Sequence, residues 1–218
     1  EIVRGWAVQL GTESAARASP AAASNQRPGT AALPAAQLLA LAQTEPSSLV
    51  RLAIASAVPA LPLDQRWPIA AALAAHADDA NDRFLPKMVW FALAPTVAAD
   101  IPRVPDLAAR TPLPTLADSI LWFAARTAAG REQIAARLTQ LPDAAAARAL
   151  RVLAFSLESE AGLAMPAAWA QVMARFAGTT DHAVRAASEQ LSALFGDKAV
   201  LAPVRARLAD TSTPLAER

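Results

Sequence analysis

The chain has no cysteine and no tyrosine, and its 218 residues include only 7 glycines and 2 histidines. Without cysteine there is no disulfide, no thiolate metal site, no cysteine nucleophile and no thioether attachment of a c-type haem within these residues. That absence does not fix the compartment, because a helical array with a large core needs no disulfide. Scattered glycines leave no Gly-x-Gly-x-x-Gly or P-loop to cradle a phosphate. There is no Gly-x-Ser-x-Gly turn, and two histidines supply a Ser-His-Asp relay poorly. An excess of one charge is lacking too: 20 Lys and Arg against 19 Asp and Glu leave a net +1, with no overall attraction to nucleic acid or to an anionic membrane surface. The longest stretch free of charged side chains, Pro28 to Thr44, contains two prolines, a glycine, two glutamines and two threonines, so direct membrane insertion is not expected.

What is present is helix chemistry. Hydrophobic residues make up 54% of the chain, much of it alanine, with leucine and arginine abundant and aromatic residues at 5%. These favour helix over sheet, and the expected fold class is all-α. The 17 prolines act as punctuation. Residues 1–10 read as the second helix of a pair and Gly11 to Leu33 as an exposed loop. Leu33 to Thr44 reads as a helix, and Glu45-Pro46-Ser47-Ser48 as the turn after it. Val50, Ala53, Ile54, Ala57, Val58 and Leu61 then form one apolar stripe, as do Leu85, Met88, Val89, Ala92, Leu93 and Thr96. Asp64 is placed to cap the helix opened by Trp67-Pro68-Ile69. Gly130 is placed to close the helix that contains Leu116, Ile120 and Phe123. Further helices are expected at Arg131 to Gln140, Ala144 to Leu157, Ala167 to Phe176 and His182 to Phe195.

A short phrase recurs through this pattern: Val3-Arg4-Gly5-Trp6-Ala7, Val50-Arg51-Leu52-Ala53 and Val184-Arg185-Ala186-Ala187. Points near Arg4, Arg51, Lys87, Ser119, Arg151 and Arg185 are separated by 47, 36, 32, 32 and 34 residues, steps that suit two helices plus turns. The phrase and its period resemble HEAT-type repeats. The resemblance implies a right-handed α-solenoid of about six antiparallel helix pairs spanning 1–218 as one domain. In such stacks the arginine bonds to the turn of a neighbouring repeat, which implies a structural role for Arg4, Arg51 and Arg185. Asp181 and Arg185, four apart, can pair on the helix surface.

Candidate functional residues are few. His76 with Asp78, Asp79 and Asp82 is the only local cluster of metal-ligand side chains. The calcium-loop register and its turn glycine are absent, so a histidine ending a helix beside a solvated, capping turn is the plainer reading. Of the tryptophans, Trp90, Trp122 and Trp169 are candidates for an interaction surface. In the doublets Trp90-Phe91 and Trp122-Phe123 the two rings point about 100° apart on a helix, so one can pack inward while the other faces out.

One stretch is more specific: Val50-Arg51-Leu52-Ala53, Leu61-Pro62-Leu63-Asp64-Gln65-Arg66-Trp67-Pro68-Ile69, His76-Ala77-Asp78-Asp79-Ala80-Asn81-Asp82, Leu85-Pro86 and Met88-Val89-Trp90. With Met165-Pro166-Ala167-Ala168-Trp169 and Phe195-Gly196-Asp197, it resembles the helical-repeat region of large planctomycete-type membrane-bound dehydrogenases, also described as haem-binding proteins. The resemblance implies an exported parent, periplasmic or associated with the cell surface, with a β-propeller before the repeats and a c-type haem segment carrying Cys-x-x-Cys-His after them. It implies a non-catalytic scaffold with no cofactor of its own, docking flanking domains or a protein partner. The start, Glu1-Ile2-Val3-Arg4, runs straight into a helix phrase, as expected of a piece of a longer chain. The alternatives are a stand-alone, cytoplasmic adaptor binding a protein or peptide on a concave face, and a repeat-fold enzyme such as a DNA glycosylase. The latter would need a basic face that the charge balance disfavours.

Overall fold

The computed structural model describes Val8 and residues 33–209. The first expected helix, with Arg4 and Trp6, and the expected loop up to Leu33 lie outside the described residues, except that Val8 is helical and buried. Among the described residues there are helices and no strands, so the all-α class holds. The chain divides into two compact units, Glu1–Ile120 and Leu121–Arg218. The division falls within one helix, α6 (Pro114–Ala125).

The first unit contains α1 (Ala35–Thr44), α2 (Ser48–Ala57), α3 (Leu63–Leu73), α4 (Leu85–Val97) and α5 (Val104–Arg110). Helix α1 packs on α3 and α2 on α4, while α3 also packs on α4. Alternate helices therefore share a layer, the outcome expected when short polar turns fold consecutive amphipathic helices back on one another. Each helix buries a stripe at 3.6-residue spacing: Val50, Ile54 and Ala57 on α2, and Leu85, Val89, Ala92, Leu93 and Thr96 on α4. Proline starts or ends several of them. Pro34 precedes α1 and Pro62 precedes α3, where the lost N–H costs nothing. Because α3 begins at Leu63, Asp64 sits in its first turn and makes no side-chain cap, contrary to expectation, and Trp67-Pro68 falls inside the helix instead of opening it. Arg66 ties that turn down, donating through Nε to the Leu61 carbonyl at 2.8 Å and through Nη2 to that of Pro59 at 2.6 Å.

The second unit holds α7 (Ala128–Leu138), α8 (Asp143–Ser156), α9 (Trp169–Phe176), α10 (His182–Leu194) and α11 (Lys198–Ala209). Here α7 packs on α9 and α8 on α10, the same alternation. Helix α10 is bounded at both ends by local chemistry. Asp181 accepts from the amides of Ala183 and Val184 at 2.9 and 3.2 Å. Gly196, at φ +74°, closes it in a left-handed turn, with Gly196 N–H bonded to Ala193 and Asp197 N–H to Ser192. Between those caps Val184, Ala187, Ser188, Leu191 and Ser192 form the buried stripe.

Gly130 corrects a sequence expectation. It stands in the first turn of α7, where Thr127 caps the helix by accepting from the Gly130 amide at 3.0 Å. A Cβ there would lie 1.9 Å from the Ala124 carbonyl oxygen, so the close approach of two helix ends, not a left-handed turn, is what demands glycine.

Candidate functional site

The most elaborate polar cluster is built on Arg51, the fourth residue of α2. Its guanidinium donates through Nε to Asp79 Oδ2 at 2.7 Å, through Nη2 to Asp79 Oδ1, and through Nη1 to the Glu45 carbonyl at 2.8 Å. Asp79 comes from the short 3-10 turn Ala77–Asp79 between α3 and α4. The turn before α2 is stiffened in parallel, Glu45 Oε1 accepting from the Ser47 amide at 3.0 Å. The arginine and aspartate side chains are 3% and 1% exposed. Hydrogen bonding to Asp79 raises the Arg51 guanidinium above its ordinary value, with burial opposing and the charges of Asp79, Asp78 and Glu45 reinforcing the rise. A guanidinium already ionised at every working pH gains nothing catalytic from that shift, and both Asp79 oxygens are occupied. The geometry is that of a brace.

Part of the brace recurs. Arg131 Nη1 donates to the Ala125 carbonyl at 3.1 Å and Arg185 Nη2 to that of Thr179 at 2.8 Å, each six residues back, as Arg51 does to Glu45. Each arginine is the fourth residue of its helix, and Ser47, Thr127 and Asp181 stand at the three N-caps. Arg185 therefore holds its own turn, not that of a neighbouring repeat. Asp181 and Arg185 do not pair with each other: Asp181 caps α10, and its other oxygen lies 3.6 Å from Arg151 Nη1. Arg4 lies outside the described residues.

A second set of bonds links segments 34 to 37 residues apart in the sequence. His76 Nε2 donates to the Ala42 carbonyl at 2.7 Å across 34 residues, and Thr111 Oγ1 to the Ala74 carbonyl at 2.6 Å across 37. In the second unit Arg175 donates to the carbonyls of Leu138 and Leu141, across 37 and 34 residues, and also binds Asp143 Oδ1 at 2.5 Å. Gln190 Nε2 reaches the Ala154 carbonyl at 3.4 Å across 36 residues. Most of the acceptors are carbonyls at helix C-termini, which have no partner inside their own helix. None of Thr111, Arg131, Arg175 or Gln190 was singled out from sequence. For Arg131 a signal existed, since Thr127-x-x-x-Arg131 has the spacing of Ser47-x-x-x-Arg51 and Asp181-x-x-x-Arg185.

The candidate metal residues are dispersed by these same bonds. His76 lies beyond the end of α3 and is spent on Ala42, Asp79 is enclosed by Arg51, and Asp82 Oδ1 caps α4 by accepting from the amides of Phe84 and Leu85 at 2.7 and 2.8 Å. Asp78 is exposed in the turn. Among the described residues no group of three His, Asp or Glu side chains converges as a metal site would require.

The tryptophans also separate. Trp169 is fully buried, its indole N–H donating to Ser192 Oγ at 2.9 Å and its ring meeting Phe195 edge to face at 4.9 Å. It is a core residue and lines no surface, contrary to its candidacy. Trp90 is half-buried, with Phe91 beside it exposed. Trp122 is exposed and carries the Arg126 guanidinium 5.3 Å from its ring centre.

Two clefts lie among the described residues. One, of about 330 Å³ between α3 and α5, is lined by Trp67, Pro68, Ala71, Pro102, Leu107 and Arg110, with the Arg103 guanidinium over the Trp67 ring at 5.0 Å. The other, of about 540 Å³ in the second unit, has Ala147, Phe176 and Val184 flanked by Asp143, Arg175 and Asp181. In both, the charged groups are largely paired within the chain. Among the described residues no helix is long and apolar enough to cross a membrane. No family model, curated protein or solved structure matches the chain.

Proposed function

We propose that this chain is a non-catalytic helical-repeat scaffold of HEAT type, its helix pairs stacked as a right-handed solenoid. The observation that carries the reading is the set of side-chain-to-carbonyl bonds at separations of 34 to 37 residues, close to the 36-, 32-, 32- and 34-residue steps between equivalent points that follow the first, longer step of 47. Bonds of that kind hold one helix pair on the next, and a repeat array uses its polar side chains in this way because no single pair can bury its own apolar face. Arg51, Arg131 and Arg185 each tie down the turn that precedes their own helix. Scaffolding, not turnover, is what such an allocation of charged groups serves.

The sequence resemblance extends the proposal to the parent: an exported, membrane-associated dehydrogenase-like protein in which this segment spaces and docks an oxidising domain and a c-type haem segment. A haem of that kind needs cysteine for its thioether bonds, and this chain has none, so its residues do not fit the group and its attachment belongs to a flanking segment. The test is the full product of the gene. Haem staining after denaturing electrophoresis, retained on the long chain and absent from residues 1–218 alone, is the expected result. A full-length product without a Cys-x-x-Cys-His segment and without stain would move the assignment to a self-standing adaptor, with localisation in the cytoplasm.

A further inference from the structure

The exposed surface of α2 and α4 combines large apolar groups with the absence of any acid in either helix. Phe91 is 59% exposed, Phe84 at the head of α4 is 56% exposed, and Leu49 on α2 is 46% exposed. Leu52, Ala53 and Met88, half-buried, continue the two stripes. Phe84, Met88 and Phe91 follow one another at helical spacing, so they stand on one side of α4, and α2 packs directly beside α4. Large apolar groups clustered in this way mark contact surfaces more often than single exposed leucines do.

Charge narrows the occupant. Neither Ser48–Ala57 nor Leu85–Val97 contains an aspartate or glutamate. The free charges on this side are exposed Lys87 and Arg83, the latter lying over the Phe84 ring at 5.3 Å. The nearest acids are committed elsewhere, Asp79 and Glu45 being buried around Arg51 and Asp82 spent on the α4 amides, while Asp78 lies in the turn at the margin. Apolar rings edged by cations complement a segment with an apolar stripe edged by carboxylates. An anionic bilayer is the poorer fit, because stable surface binding takes about four to eight clustered bases and this face has two.

We infer that the α2–α4 face docks an acidic amphipathic helix of a partner protein, with Phe84 and Phe91 as its anchors. The inference rests on the scaffold reading and names the chemistry of one partner, whether a flanking domain or a separate chain supplies it.

The experiment selects phage-displayed random peptides of about sixteen residues, some four helical turns, on the intact 218-residue chain. Expected binders carry net negative charge with apolar residues at i, i+3 or i+4 and i+7. They weaken about thirty-fold against Phe91→Ser, weaken again against Lys87→Glu, and keep their affinity for Phe155→Ser. Phe91 is exposed, so its serine variant keeps the parent's melting temperature, and a melt of each variant checks this. Binders that are neutral or basic, or that are indifferent to Phe91→Ser, would overturn the inference. So would co-sedimentation with phosphatidylserine-rich vesicles that Lys87→Glu abolishes while no acidic peptide binds, an outcome that gives the face to a membrane. The haem stain of the full-length product is independent of all these outcomes, so failure here leaves the parent assignment standing or falling on its own test.

Discussion

Arg51 and Arg151 do the same topological job with different energetic consequences. Each reaches from one helix to an aspartate in the turn before the next helix of the same layer, Arg51 from α2 to Asp79 ahead of α4 and Arg151 from α8 to Asp181 ahead of α10. The first pair is almost fully enclosed, doubly bonded and completed by the Glu45 carbonyl. The second has both side chains nearly half exposed and a separation of 3.6 Å. In the open pair solvent screens the attraction, and the work at that turn is done by Asp181 as an N-cap. In the closed pair desolvation has already been incurred, so every donor and acceptor must be matched or the turn fails. Both braces join alternate helices of one layer, and burial decides how much stability depends on each.

The comparison breaks first if Asp79 is removed. Asp79→Ala leaves a buried guanidinium without its counter-charge and should cost about 3–5 kcal/mol, read from urea unfolding followed by circular dichroism. A loss below about 1 kcal/mol would place the pair in solvent and erase the contrast with Arg151. Next, the second unit should prove constrained by backbone contact instead of charge: Gly130→Ala should cost about 1–3 kcal/mol, because the added methyl meets the Ala124 carbonyl at a helix junction. Replacing both partners of the closed pair, Arg51→Met with Asp79→Leu, should leave stability within about 1 kcal/mol of the parent, the residual being the Glu45 carbonyl without its donor. A double variant as damaged as Asp79→Ala would mean the pair is a net source of stability, not a matched set. Smaller still, Arg151→Ala should cost at most about 1 kcal/mol, less in high salt.

The pH dependence sharpens the same point. The Arg51 value is raised on folding, so its contribution is complete below the ordinary arginine range and is lost only as pH climbs through the higher folded value. The stability difference between the parent and Arg51→Ala should therefore stay flat when unfolding is repeated from neutral to moderately alkaline buffer.

Much of the fold was legible because it depends on local chemistry. The α4 stripe needed only its period, and five of its six anticipated members, Leu85, Val89, Ala92, Leu93 and Thr96, are buried. The α10 helix, anticipated from His182 to Phe195, spans His182–Leu194, although neither the Asp181 cap nor the Gly196 turn was read in advance. Partnership across a repeat was less legible. An aspartate in Ala77-Asp78-Asp79-Ala80 has the same sequence signature whether it is solvated, as Asp78 is, or enclosed, as Asp79 is, and only the packing of α2 on α4 selects between them. Gly130 was misjudged because a glycine at a left-handed helix end and one crowded by a carbonyl look alike in one dimension. The Thr127 cap beside it was the discriminating signal. Trp169 was placed among interaction candidates because an aromatic of helical spacing does not declare its side, and the acceptor that resolves it, Ser192 Oγ taking its indole N–H, lies 23 residues away.

The central claim is that successive helix pairs are locked by side-chain bonds about one repeat apart, and His76 tests it most directly. There are 2 histidines in the chain, so ¹⁵N labelling of histidine leaves little ambiguity of assignment. With ¹³C-carbonyl alanine in the same sample, nitrogen shifts in mildly alkaline buffer report the tautomer, and scalar coupling across the hydrogen bond reports the acceptor. The account predicts an Nε2–H tautomer at His76 with a resolved coupling to the carbonyl of Ala42, 34 residues earlier. A rapidly averaging ring, an Nδ1–H tautomer, or a coupling to some other alanine would contradict it.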